Sequence, residues 1–363
     1  MSTSRRSAAV IGLAFALLGV LAGPALAHGR GSDATNYSSE ITATPDLPGL
    51  TWRVHNGDEF LSLENASDQD VVVLGYDGEP YLRIGPDGVF ENTRSAATYI
   101  NADRFAAVET PADVDPAAAP EWARVGGGDA YAWHDHRIHF MSPQPPPRVE
   151  ADPSAVVEVF PDGWAVPFTV ADAEYEVTGT LTWVPPASPL PWLLGALVVT
   201  SVALAGLRTA PSAEDRWPGL ARPAAAVLGV VTLLNVTNLV DDLVASPVPV
   251  TTQLLPAGQT LLFIAIAGFG AVRGWQGRDG AFTALGVGAG ALLVGQGLLY
   301  LPALSSSQSA SAFPLWVTRT AVAASIVQAV PVGIVAVMGT RRMLPPPEPQ
   351  AAAGADTPEA ARP

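Results

Sequence analysis

Five apolar stretches in the second half of the chain, at about 190–207, 223–243, 253–272, 281–301 and 315–339, constrain its fold more than any other feature. Each is near the roughly 20 residues needed to cross a hydrocarbon core. A backbone in lipid must satisfy its own N–H and C=O groups, so separate spans of this kind can only be helices. The expectation is therefore an all-α region of five transmembrane helices over 188–342. A Pro-, Ala- and Glu-rich cytoplasmic tail at 343–363 follows, of a composition that does not fold.

The ends of the spans set an orientation. Arg208, Arg216 and Arg222 fall in the first connection, Arg273 and Arg278 in the third, and Arg341 and Arg342 after the last, while the opposite side has only Arg319 near a span. Positive charge collects on the cytoplasmic side, so residues 28–187 should lie outside and the C-terminus inside. Residues 1–27 agree with this. Arg5 and Arg6 precede an apolar run over 8–22, and Ala25-Leu26-Ala27 forms a small-x-small cleavage site, the pattern of a secretory signal peptide.

Residues 28–187 are polar and read as an all-β, sandwich-like exported domain. Short β-prone runs at 51–54, 59–63, 70–74, 155–160, 164–170 and 174–184 alternate with turn signals at Asn56-Gly57, Asp77-Gly78 and 85–88. The Ala-, Pro- and Asp-rich stretch 106–120 reads as an exposed loop, so Asp113 and Asp115 are solvated acids rather than a catalytic pair. The segment carries 26 acids against eight arginines, which argues against nucleic acid as a partner. Cysteine is absent, which rules out disulfides and thiolate metal sites, so any metal must be held by nitrogen, oxygen or thioether.

All five histidines, His28, His55, His134, His136 and His139, precede the first span. Cleavage after Ala27 would make His28 the mature N-terminus. It then offers the α-amine and ring Nδ1 from one residue, and a second imidazole completes a histidine brace, a nitrogen site suited to Cu(II). The second imidazole is expected in WHDHRIHFM (133–141). If this segment is a strand, His134 and His136 point to one face and can converge on one ion. If it is helical, His136 and His139 pair instead. His139 and Met141 are further candidate ligands, with Asp135 or a neighbouring acid holding a ring nitrogen. His55, beside the Asn56-Gly57 turn, reads as a surface residue.

The stretch GYDGEPYLRIGPDGVFENTRSAATY (75–99), followed by Glu121-Trp122 and WHDHR (133–137), resembles a family of actinobacterial membrane proteins with an exported domain. The resemblance covers most of 28–187 and the membrane part, and it implies this architecture without a mechanism. Signal peptide, mature His and β-rich domain together also resemble, at the level of architecture alone, copper-resistance carriers and lytic polysaccharide monooxygenases. Within 75–95 the simplest reading is two turns and the hairpin they join, with Arg83 and Arg94 pairing nearby carboxylates.

In the spans, Asn235, Asn238 and Asp241 recur every three residues, and intramembrane polar groups are functional candidates. Asp241 and Asp242 lie toward the outer end, where water reaches them. Gln259, Gln296 and Gln328 are expected to hydrogen-bond between helices, and Gly286, Gly288 and Gly290 to allow close helix packing. No Gly-x-Ser-x-Gly elbow and no His-Glu-x-x-His helix is present, which disfavours hydrolases. Three function classes stay open at this point. The first is a membrane-anchored copper-binding protein using His28, His134 and His136 for delivery, buffering or resistance. The second is a metal-free interaction module docking onto a membrane-protein partner. The third is a copper-dependent oxygenase. The copper ion and the lipid bilayer are the expected partners.

Overall fold

The computed structural model describes residues 34–206 and 219–343, apart from 103, 107 and 143. The expected signal peptide, His28, Arg208, Arg216 and the tail from 344 lie outside the described residues.

Among the described residues, eleven strands form the N-terminal part: β1 (Tyr37–Ala43), β2 (Leu50–His55), β3 (Phe60–Asn65), β4 (Val71–Leu74), β5 (Pro80–Gly85), β6 (Gly88–Asn92), β7 (Trp122–Gly126), β8 (Ala130–Trp133), β9 (Val157–Glu158), β10 (Trp164–Val170) and β11 (Ala173–Trp183). They make two antiparallel sheets. The larger runs β1-β11-β10-β4-β5-β6-β7 with β9 also paired to β11, and the smaller runs β2-β3-β8. The expected sandwich is thus met in a coarser form, as two antiparallel sheets of unequal size. Period-2 patterning sets the register: Leu61 and Leu63, Val71 and Val73, Val166 and Phe168, and Val177 and Leu181 are all fully buried. Trp52 joins the layers, its ring 6.1 Å from Trp133 in its own sheet and 5.1 Å from Phe168 in the other. Gly179 is required opposite Trp164, because a Cβ there would lie 2.1 Å from the indole. Each fully buried aliphatic side chain contributes about 1.5–3 kcal/mol.

The 75–95 stretch folds as expected from its turns. Gly75 N–H donates to Glu79 O (2.7 Å) between β4 and β5, and the next turn joins β5 to β6. Arg83 faces Asp70 at 3.7 Å, and Arg94 pairs with Glu121 at 3.0 Å and Asp113 at 3.5 Å. A short helix, α1 (Ala96–Ile100), follows; a second, α2 (Pro147–Ala151), precedes β9.

The helical part contains α3 (Leu190–Gly206), α4 (Ala221–Leu234), α5 (Val236–Val244), α6 (Val250–Gln276), α7 (Ala281–Leu292), a π-helix (Leu293–Leu298), α8 (Pro302–Ser305) and α9 (Leu315–Met343). Four helical segments among the described residues are long and apolar enough to cross a membrane, not five: Ala221–Val244, Val250–Gln276, Ala281–Leu298 and Leu315–Arg342. The expected first span corresponds to α3, whose described part covers 17 residues and borders residues 207–218, which lie outside the described residues. Small residues bring the helices together, as expected: a Cβ on Gly288 would lie 3.2 Å from the Ala267 backbone, and one on Gly270 2.5 Å from Ala284 O.

The β-region sits on one end of the bundle. Thr35 and Gln308 exchange backbone hydrogen bonds of 3.0 and 2.8 Å, and Ala187 N donates to Ser305 O at 2.8 Å. Ser307 N donates to Asn36 Oδ1 (2.8 Å), and Asn56 Nδ2 donates to Ser246 Oγ (3.1 Å).

Candidate functional site

The strand expected to carry His134 and His136 stops at Trp133, which pairs with Leu61 of β3. The cause is Asp135. Its Oδ1 accepts from Arg137 N at 3.1 Å and Arg137 Nε at 2.8 Å, while Oδ2 accepts from Trp133 Nε1 at 2.9 Å and Arg137 Nη2 at 2.7 Å. Ile138 N closes the turn onto Asp135 O at 3.0 Å. This is an Asx-type turn, in which a short acidic side chain replaces the sheet ladder as the partner of nearby backbone N–H groups. The histidines therefore do not alternate along a strand.

His134 stacks on Phe60 with ring centroids 4.2 Å apart, and its Nδ1 lies 3.0 Å from Glu59 O. A carbonyl only accepts, so Nδ1 is the donor in this contact. His136 and His139 meet edge to face, 5.1 Å between centroids. His139 is 1% exposed, and its ring nitrogens have no hydrogen-bond partner of normal geometry. Burial, then the positive charge of Arg104 and the neighbouring His136 and His134, push its pKa down to about 3, so it is neutral. Met141 follows, half-buried and outside any strand or helix. His55 is half-buried, with Nε2 2.7 Å from Ser62 Oγ, and burial followed by Arg53 lowers its pKa.

Beside the histidines lies an ion-pair cluster that the sequence reading passed over. Arg104 Nη2 is 2.8 Å from Asp58 Oδ1, and Arg104 Nη1 is 3.9 Å from Glu59 Oε2; Asp58 is completely buried. Burial raises the Asp58 carboxyl, and Arg104 only partly offsets this. The Asp58-Glu59 pair directly after the Asn56-Gly57 turn was the available signal: two adjacent acids entering an apolar strand need a cation. The partner, 46 residues away, had no local mark.

His134 also lines a cavity of about 380 Å³ between the β-region and the bundle, with Ala34 and Phe60 on one side and Asp241, Asp242 and Tyr300 on the other. The Tyr300 hydroxyl is 2.7 and 2.8 Å from the two carboxylate oxygens of Asp242. Asp241 accepts from Ala312 N and Ser311 Oγ, both at 2.8 Å. Both acids thus lie at the β-region end of their span, the end at which water was expected to reach them. Among the described residues, no three His, Asp or Glu side chains are grouped closely enough to hold a metal on their own. Of the histidines expected as ligands, the structure puts His134 at the cavity wall and brings His136 against His139. No family model, curated protein or solved structure matches the chain.

Proposed function

We propose that this is a membrane-anchored, extracytoplasmic copper-binding protein that holds Cu(II) through the amine and ring of His28 together with His134, and that serves copper delivery, buffering or resistance. The observation that carries this reading is the His134 hydrogen bond to Glu59 O on the wall of a cavity that Ala34 also lines. An imidazole with one ring nitrogen held by a backbone carbonyl is the usual form of a histidine ligand. His28 stands six positions before Ala34, and six residues of extended chain reach at most about 20 Å. His136, paired with His139, is the second imidazole on the same loop.

The same reading places the β-region outside the cell. Arg222, Arg273, Arg278, Arg341 and Arg342 lie at the bundle end remote from the β-region, and Arg319 lies at the near end, bonded to Ala303 O and Ser306 O. The positive-inside rule then puts the remote end in the cytoplasm.

Calorimetric Cu(II) titration of the mature, detergent-solubilised chain tests the ligand set. One tight equivalent is expected, weakened at least tenfold in His134→Ala. Unchanged affinity in a variant lacking the imidazoles of His28, His134 and His136 ends the copper reading.

A metal-free interaction module is the second reading, favoured by one observation: Asp135, the acid nearest the histidines in sequence, is committed to Arg137 and Trp133. Copurification of a stable membrane partner that survives chelation supports that reading.

A further inference from the structure

The cavity between the β-region and the bundle carries acid on its bundle wall and no arginine to balance it. Asp241 and Asp242 stand there at consecutive positions, and among the described residues no arginine lines the cavity; the chain has no lysine. Arg319, at the same end of the bundle, spends its guanidinium on Ala303 O (3.2 Å) and Ser306 O (2.8 Å). His134, on the opposite wall, is the one described lining residue able to take up a positive charge. Two neighbouring carboxyls oppose each other's ionisation, and a cation beside them favours it.

Gln253 is the independent mark of a ligand. It lines the same cavity and is 6% exposed. Its NH₂ donates to Ser246 O (2.9 Å) and Val248 O (3.0 Å), which identifies the nitrogen, because a flip would set oxygen against oxygen. Oε1 is then a buried acceptor without a partner. Leaving such a carbonyl unmet is costly, and an N–H donor entering the cavity would meet it. Asp241 is held ready in a different way. Its Oδ1 accepts from Ala312 N and its Oδ2 from Ser311 Oγ, both at 2.8 Å, with Thr318 as a third neighbour. A carboxylate has about four acceptor sites, so these contacts fix its position without filling it.

Size and the rest of the wall decide which cation fits. A volume of about 380 Å³ lies in the range of small-molecule sites and far exceeds a metal ion. Phe60, Val248, Pro256, Leu299 and Pro302 make much of the lining apolar, which suits an organic body behind a charged group. A few polar groups in an otherwise apolar wall are the usual make-up of such a site. The headgroup of a zwitterionic lipid fits less well, because its phosphate would meet the same carboxylates with no arginine on the wall to hold it. A free amine carries no such anion.

We propose that this cavity binds a small primary ammonium ion with an apolar body, its N–H groups taken by the Asp241 carboxylate and Gln253 Oε1, with Asp242 adding negative charge. The site goes beyond the copper reading, and its test excludes copper. The full mature chain, in detergent with a chelator present, is titrated calorimetrically with 2-phenylethylammonium and separately with its neutral counterpart 2-phenylethanol. One equivalent of the ammonium ion is expected to bind, at least tenfold tighter than the alcohol. Asp241→Asn keeps the shape and one acceptor but removes the charge, so it should weaken the ammonium ion at least tenfold and leave the alcohol unchanged. The comparison of the two probes needs no variant and decides the matter if Asp241→Asn does not fold. Equal affinity for the two probes, binding of neither, or an ammonium affinity unchanged in Asp241→Asn would overturn the proposal. A failed Cu(II) titration would leave these results untouched, and the reverse holds as well.

Discussion

Asp135 and Arg137, two residues apart, form an ion pair closed off inside the β-region: Nη2 lies 2.7 Å from Oδ2, and the Asp135 side chain has no exposed surface. Arg137 Nη1 also donates to Leu74 O at 3.0 Å, and its guanidinium lies 5.2 Å from the Tyr76 ring centroid. The pair therefore ties the histidine loop to the end of β4. Loss of one partner strands the other charge in a dry interior, so Arg137→Met should destabilise the β-region by about 3–5 kcal/mol. Asp135→Asn with Arg137→Met should recover a large part of that. Urea unfolding followed by tryptophan fluorescence measures both.

The same pair sets an acid limit. Burial alone would raise the Asp135 carboxyl, but the charge and hydrogen bonds of Arg137, helped by Trp133, outweigh it and hold the carboxyl below its ordinary value. With the folded pKa lowered, this stabilisation is present above the unfolded pKa and is lost as pH falls through the folded one. Glu91 has the opposite sign. Burial raises its carboxyl, and the 2.9 Å hydrogen bond from Tyr131 OH only partly counters this. Its ionisation therefore weakens the fold at neutral pH, and that penalty fades as pH falls below the raised pKa. Glu91→Gln keeps an acceptor for Tyr131, so it should give a small gain at neutral pH that disappears in mild acid. Melting curves across pH 4 to 8, compared with the parent, would show it.

Trp52 touches both sheets through its ring contacts to Trp133 and Phe168. Trp52→Ala should cost about 3–5 kcal/mol and leave the helical signal intact. Far-ultraviolet circular dichroism during denaturation separates the two, since the loss should be confined to the β component.

Gly57 holds the β-region on the bundle. Its φ is +80°, and a Cβ there would lie 2.8 Å from Tyr37 O and 3.1 Å from the Gln308 side chain. Gly57→Val adds backbone strain and a clash at the docking surface. It should increase amide exchange at Thr35, Ser307 and Gln308 at least tenfold while leaving β10 and β11 protected.

Hydropathy made the bundle legible because lipid imposes one strong rule on every span. The strands near 51–54, 59–63, 164–170 and 174–184 were legible from β-branched runs and turns, and the hairpin of 75–95 from its glycines. The loop of His134 and His136 was not. Aromatic and β-branched flanks suggest a strand, but Asp135 bonds its own neighbours and the ladder ends at Trp133, before both histidines. The interhelical roles of Gln296 and Gln328 followed from polar groups placed in lipid. Arg104 was missed because its acids are distant in sequence and adjacent only in the fold.

The most direct test of the copper account is the Cu(II) electron paramagnetic resonance spectrum of the mature chain with an authentic His28 terminus, compared with the same chain carrying one extra leading glycine. The account predicts a one-to-one, nitrogen-rich signal for the authentic terminus that the extra glycine weakens or alters. A spectrum and affinity indifferent to the terminus would contradict it.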